Sequence, residues 1–260
     1  MEVVICPTYD DMSKGAANVV ADLVRAKPDA VLGFATGSSP IGLYRELIRR
    51  HRQGQLDFSQ ITTFNLDEYV GLPPDHPQSY HYFMFDNLFN HINVSRDAIH
   101  IPLGISDNHR ASCAGYEQQI RESGGIDLQI VGIGSDGHIA FNEPGTSLAS
   151  RTSQVTLAKQ TIDDNARFFE KTEDVPIHAV SMGVGTILEV RKLLMVVNGA
   201  NKADALAAAL EGPVTCMCTA SALQLHPDAI VFADEAAAAR LRMRDYYDWI
   251  QKHKPKQRSA

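Results

Sequence analysis

Short apolar runs recur along the chain at residues 3–6, 30–34, 61–66, 126–131, 178–182, 193–197 and 229–232. Runs of this length, rich in β-branched and aromatic residues, predict strands. Between them apolar positions return at helical spacing, as in Ile41, Leu43, Tyr44, Leu47 and Ile48, and again over residues 204–210. Strand and helix in alternation predict an α/β fold: a mostly parallel, doubly wound, Rossmann-like sheet with helices on both faces. No repeat, low-complexity stretch or Gly/Ser linker divides the chain, so residues 1–260 read as one domain. Residues 157–177 are more polar and interrupt the rhythm; on sequence alone they fit an ordinary surface helix pair. Residues 251–260 are basic and read as a flexible tail behind a helix carrying Tyr246, Trp249 and Ile250.

The pattern changes most abruptly after the run 126–131, where Gly132-Ile133-Gly134-Ser135-Asp136-Gly137-His138 continues into Ile139-Ala140-Phe141-Asn142-Glu143-Pro144. Glycines here let the backbone approach a ligand or turn sharply, and Pro144 stops the segment from continuing as helix. Asp136, His138 and Glu143 lie close enough in sequence for an irregular backbone to gather them around one substrate atom. An imidazole between two acids is a proton carrier whose ordinary pKa of ~6.5 is near cellular pH. A capping Asp and a core His would explain either residue alone; the three together after a strand point to an active-site loop. The same residue types can ligate a metal. No HExxH helix, cysteine partner or second nearby histidine supports that reading, so no metal is expected.

Two further strand ends carry chemistry. Asp67 and Glu68 follow the run 61–66, and in an open α/β sheet they would meet the same crevice as His138. Neighbours on extended chain point opposite ways, so one of the two acids is expected to face a substrate; taken alone, both could instead cap the next element or pair with arginines. After the run 30–34 come Thr36, Gly37, Ser38 and Ser39, then Pro40 and a helical pattern. A small hydroxyl-rich loop at a helix start offers unpaired N–H groups and the positive helix end to an anion. It is neither a Walker A loop nor a GxGxxG fingerprint, and a plain helix cap at Ser39 is the rival reading.

These segments in this order resemble the glucosamine-6-phosphate deaminase family, over roughly nine-tenths of the chain. Phe64-Asn65-Leu66-Asp67-Glu68-Tyr69 and Gly137-His138-Ile139-Ala140-Phe141-Asn142-Glu143-Pro144 carry the likeness, with Ser147-Leu148-Ala149-Ser150-Arg151-Thr152 and Ser181-Met182-Gly183-Val184-Gly185-Thr186 in support. The resemblance implies conversion of glucosamine 6-phosphate and water to fructose 6-phosphate and ammonia, without a cofactor. By position it implies that Asp67 is the base moving a proton from C2 to C1. It makes His138 the ring-opening group, with Asp136 and Glu143 as its acidic partners. Arg167 and Lys202 would hold the phosphate with Thr36, Gly37, Ser38 and Ser39, and residues 157–177 would be a lid. Related pentose-phosphate lactonases share a Gly-Asp-Gly-His segment but typically lack the Ala-Phe-Asn-Glu-Pro continuation.

One departure from the family matters. Effector-regulated, hexameric members carry basic residues shortly after the Ser-Arg-Thr segment to hold the phosphate of an N-acetyl sugar activator; this chain has Ser153 and Val155 there. Little or no such activation is expected, and monomer or small homo-oligomer are both open. The formal net charge of −7 disfavours nucleic acid or an anionic membrane as partner, so the expected partner is a small sugar phosphate held by local groups. No apolar run approaches the ~20 residues of a membrane span. Cys6, Cys113, Cys216 and Cys218 form no paired CxxC pattern, and the first residues lack a secretory signal, which together suggest a reduced, cytoplasmic enzyme.

Overall fold

The computed structural model describes residues 1–254. Its strands are β1 (Glu2–Cys6), β2 (Val31–Phe34), β3 (Thr62–Asn65), β4 (Asp67–Tyr69), β5 (Ile99–His100), β6 (Leu128–Val131), β7 (Ser153–Thr156), β8 (His178–Ser181), β9 (Lys192–Val197) and β10 (Ala229–Asp234). The helices are α1 (Tyr9–Ala26), α2 (Ile41–Arg52), α3 (Tyr80–Asn87), α4 (His109–Glu122), α5 (Lys159–Asn165), α6 (Val184–Leu188), α7 (Ala203–Glu211) and α8 (Arg244–His253). Seven strands form a parallel sheet in the order β1-β10-β9-β6-β2-β3-β5. Register shows why both faces are covered. Phe34 packs edge-on against Tyr44 of α2, with ring centroids 5.7 Å apart. Phe64 pairs with Gly33, the residue before Phe34, and meets Tyr116 of α4 at 5.5 Å. Alternation along a strand therefore sets α2 and α4 on opposite faces.

The expected α/β architecture is present, with differences at the periphery. Residues 178–182, read as another strand of the main sheet, supply β8 of a separate three-stranded sheet, β4-β8-β7, paired antiparallel. Its place in the main sheet is taken by the two-residue β5. The predicted tail begins too early: Gln251 to His253 belong to α8, and the Gln251 amide donates to Glu2 Oε1 at 3.1 Å and to the Val3 carbonyl at 3.2 Å. Residues 255–260 of that tail lie outside the described residues. Residues 157–177 contain α5 and two short 3₁₀ turns, Ala166–Phe168 and Thr172–Asp174, against the small sheet. Among the described residues no helix is long and apolar enough to cross a membrane.

β2 leads on to β3 on one side, whereas β6 leads to β9 on the other, so strand order reverses between β2 and β6. A crevice opens at the carboxyl ends of strands at such a reversal.

Candidate active site

A cavity of about 530 Å³ lies at that reversal. It is lined by the loops that follow β2 (Ala35 to Pro40), β3 (Leu66 and Asp67), β6 (Gly132 to Ser135) and β9 (Asn198 to Lys202), and roofed by Asp164, Arg167, Phe168 and Phe169. Thr36, Gly37, Ser38, Ser39, Asp67, His138, Arg167 and Lys202 all line it. Asp136 and Glu143 do not; they stand beside the imidazole of His138 instead.

Asp67 and Glu68 have been separated by the backbone. β4 runs antiparallel to β8, and adjacent residues on it face opposite ways. Glu68 turns to α3, where it accepts from the backbone N–H groups of Tyr80 and His81, each at 2.8 Å, and from that of Tyr69 at 2.8 Å. It caps the positive end of a helix, although burial still raises its carboxyl to about 6. Asp67 faces the cavity while only 6% exposed. Burial, reinforced by the negative charge of Glu68, pushes its carboxyl up from 3.8 to about 8. A carboxylate with so high a proton affinity is suited to removing a weakly acidic C–H proton near neutral pH.

His138 Nδ1 lies 2.7 Å from Asp136 Oδ1 and 3.6 Å from Glu143 Oε2. A proton on Nδ1 faces both carboxylates, which leaves Nε2 as the nitrogen able to exchange a proton with a ligand. Burial alone would raise Asp136, but hydrogen bonding to His138 and its charge more than offset this and hold the carboxyl below its ordinary value. Glu143 is fixed in turn: its Oε1 accepts from the Ala158 N–H at 2.9 Å, joining the histidine loop to the start of α5. The nitrogen and carboxylate oxygens of Asp136, His138 and Glu143 lie within 4.8 Å of one another, a spacing that a metal ion could also use.

The loop holding these groups is tightly specified. Ala140, which lines the cavity, has φ 50°, the one positive φ outside glycine among the described residues, a conformation disfavoured for a side-chain-bearing residue. The Asn142 side chain holds the loop by donating to the Ile139 and Met182 carbonyls at 2.9 and 2.8 Å. A Cβ added at Gly134 would come within 2.5 Å of the His138 ring. Gly134→Ala is expected to displace the imidazole and reduce kcat roughly 100-fold, the scale of a ~1 Å misplacement, while circular dichroism shows an intact fold. Turnover within a factor of about two of the parent would remove that ring from a catalytic role.

At the other end of the cavity Gly37 has φ 92°, which glycine adopts without strain. The turn brings Ser38 and Ser39 to the start of α2. Pro40 stands at the N-cap and makes no side-chain cap bond, while the Ser39 hydroxyl donates to Asn198 Oδ1 at 2.7 Å. The simple Ser39 cap is therefore not what the structure contains. Tyr9 braces the turn: its hydroxyl donates to the Ser38 carbonyl at 3.1 Å and accepts from the Gly42 N–H at 2.7 Å. Arg167, from the 3₁₀ turn after α5, and Lys202, from the one before α7, bring positive charge to the same space. Burial lowers the Lys202 ammonium, Arg167 adds to the effect, and Asp164 and Asp136 oppose it. An arriving dianion would relieve the repulsion between the two cations.

Several lining residues were not singled out from sequence. Tyr80 and Phe141 stack with centroids 5.7 Å apart, and Tyr69 contacts both at 4.9 and 5.5 Å, forming an aromatic wall beside Asp67. Phe169 meets Tyr69 edge-on at 5.8 Å, and Asp164 accepts from the Ser135 hydroxyl at 2.7 Å, so the 157–177 segment touches two other walls. Asn198 joins the β9 loop to the Ser39 turn. An aromatic residue shortly after the Asp67-Glu68 pair was the available signal for Tyr80; nothing local marks Asn198 or Asp164.

Comparison with known proteins agrees with this fold. A family model described as glucosamine-6-phosphate isomerases/6-phosphogluconolactonase matches residues 8–232. The glucosamine-6-phosphate deaminase of Thermoanaerobacter pseudethanolicus is 49% identical over 239 residues, 92% of this chain and 94% of that protein. The deaminase of Hahella chejuensis is 51% identical over 251 residues, 96% of each chain. A solved monomeric glucosamine-6-phosphate deaminase superposes with a TM-score of 0.91 at 48% identity, covering 92% of this chain and all of its own. The 6-phosphogluconolactonase of Trypanosoma brucei shares the fold at 17% identity and a TM-score of 0.75. The chain belongs to the glucosamine-6-phosphate isomerase and 6-phosphogluconolactonase family.

Proposed function

We propose that the protein converts glucosamine 6-phosphate and water to fructose 6-phosphate and ammonia. The observation that carries this reading is Asp67: a buried carboxylate of raised proton affinity in the same cavity as His138 and a cationic anion site. The sugar phosphate binds with its phosphate between the Gly37 to Ser39 turn, Arg167 and Lys202, which positions the other end of the sugar. His138, with Asp136 and Glu143 behind it, carries the proton needed at the ring oxygen when the pyranose opens. In the open aldehyde the C2 proton is acidified by the carbonyl and the ammonium. Asp67 removes it, giving an enediol-type intermediate, and returns a proton at C1. The resulting C2 imine is hydrolysed by water, which supplies the ketone oxygen and releases ammonia.

Residues 157–177 act in this account as a lid, because Arg167 would engage the phosphate from above while Glu143 and Ser135 anchor the segment to the histidine loop. A lactonase, the other activity within the family description, needs no base at C2. The distinguishing test offers purified protein glucosamine 6-phosphate and, separately, 6-phosphogluconolactone. Ammonia from the first with no accelerated hydrolysis of the second supports the reading; the reverse pattern replaces it.

Effector activation is absent in this account. Ser153 and Val155 on β7 offer no cation, and the nearby Arg151 is engaged by Glu117 and Glu189. Saturation curves with and without N-acetylglucosamine 6-phosphate are expected to coincide. A marked fall in half-saturation with that compound would contradict the account.

A further inference from the structure

Among the described residues the carboxylates that line the cavity are Asp67 and Asp164. The first serves as the base; the second has no part in the chemistry above. Asp164 stands in the last turn of α5, and the chain stays helical through Asn165 and Ala166 into the turn that carries Arg167. Residues three apart on such a backbone are neighbours, so an acid sits beside one of the two cations. It also acts on the other. Burial lowers the Lys202 ammonium, and of the charges around it Asp164 acts most strongly, in the opposite direction. The hydrogen bond that Asp164 makes, however, is to a neutral group: the Ser135 hydroxyl donates to its Oδ2 at 2.7 Å, and Gln160 Nε2, one turn back on α5, donates to the Ser135 oxygen at 3.4 Å.

A carboxylate at an anion site works against the anion. Arg167 and Lys202 alone would match a phosphate dianion in charge, whereas with Asp164 counted the same ligand over-neutralises the site. We propose that Asp164 limits the affinity of this site: its carboxylate offsets the two cations while the site is empty and repels the phosphate group that enters, so that inorganic phosphate and phosphorylated product leave readily. The inference rests on the reading of Arg167 and Lys202 as the cations that hold the substrate's phosphate. Ser135 has a part in it. By holding the carboxylate on the side of the histidine loop, its hydroxyl keeps Asp164 from closing onto the cations and blocking the site altogether. Asp164 is exposed on the solvent side, so water and salt weaken its effect without abolishing it.

The test is calorimetric titration of the full chain with inorganic phosphate and with fructose 6-phosphate, in the parent, Asp164→Asn and Ser135→Ala. Asparagine keeps an acceptor for the Ser135 hydroxyl and removes only the charge. Asp164→Asn is expected to bind both ligands roughly 10-fold more tightly at low salt, with the difference shrinking as salt is added. Its KM for glucosamine 6-phosphate should fall in step, while turnover of unphosphorylated glucosamine stays as in the parent. Ser135→Ala should shift phosphate binding the other way, because the freed carboxylate can close onto Arg167 and Lys202. Opposite shifts from the two sides of one hydrogen bond are what a mere anchor of the lid would not produce; weaker binding in both variants overturns the proposal. Weakened glucosamine 6-phosphate binding by Asp164→Asn with unchanged phosphate binding would also overturn it, making Asp164 an acceptor for a sugar hydroxyl or the ammonium. Equal phosphate affinity in parent and Asp164→Asn overturns this inference and leaves the cation site standing, whereas phosphate bound by neither overturns both.

Discussion

Asp67→Asn is expected to lose turnover by roughly 10²- to 10⁴-fold while retaining the ligand, and to be more stable than the parent in alkaline solution. The two effects share one cause. Burial beside Glu68 raises the Asp67 carboxyl from 3.8 to about 8, so the folded chain holds that proton more tightly than the unfolded chain does. By linkage this stabilisation is fully present below about pH 4 and is lost as pH rises through about 8, where the folded state must keep a buried charge. An asparagine has no such proton to lose. The variant's thermal advantage should therefore be absent near pH 4, open progressively across pH 4 to 8, and level off above that. Each pKa unit corresponds to ~1.4 kcal/mol, so a gain on the order of a few kcal/mol and several degrees in Tm is expected. Activity runs the other way: the parent's kcat/KM should rise toward about pH 8 as the base becomes available. Near-parental turnover in the variant would remove Asp67 from its role, and a variant less stable than the parent in alkaline solution would show that the carboxylate is favoured by the fold.

Lys202→Ala and Arg167→Ala should each reduce kcat/KM for glucosamine 6-phosphate by roughly 10- to 150-fold, the equivalent of one charge-assisted hydrogen bond worth ~1.5–3 kcal/mol. The fall should not be confined to KM, because phosphate binding also positions the distant reacting carbons. Unphosphorylated glucosamine provides the control. Its slow turnover, where measurable, should be the same in parent and variants, since it presents no dianion to either cation. Equal losses with both sugars would mean that the substitutions disturb the cavity and not a phosphate contact. Partial restoration by Lys202→Arg is expected, since charge is kept while geometry changes.

Much of the central sheet was legible because buried parallel strands are continuous apolar runs, and every run named from the sequence contains a strand. What the runs do not encode is their neighbours. Residues 178–182 read like any other strand, and their removal to a small antiparallel sheet depends on pairing with Asp67–Tyr69, which is itself too short and polar to announce a strand. Ile99–His100 was missed because two residues carry no periodicity. In the site, local spacing pointed to Asp136, His138 and Glu143, and alternation required that one of Asp67 and Glu68 turn away. Which one did so was set by α3, whose first N–H groups claim Glu68. Arg167 and Lys202 stood out only through resemblance, since a basic residue on a loop usually faces water. Their meeting depends on the 157–177 segment folding over the loop after β9.

The most direct test of the central claim is product formation from glucosamine 6-phosphate by the purified full chain, with and without a chelator, beside the Asp67→Asn variant. The account predicts ammonia and fructose 6-phosphate in equal amounts, unchanged by the chelator, and both nearly absent with the variant. Ammonia without fructose 6-phosphate, dependence on a removable metal, or undiminished product from the variant would contradict it.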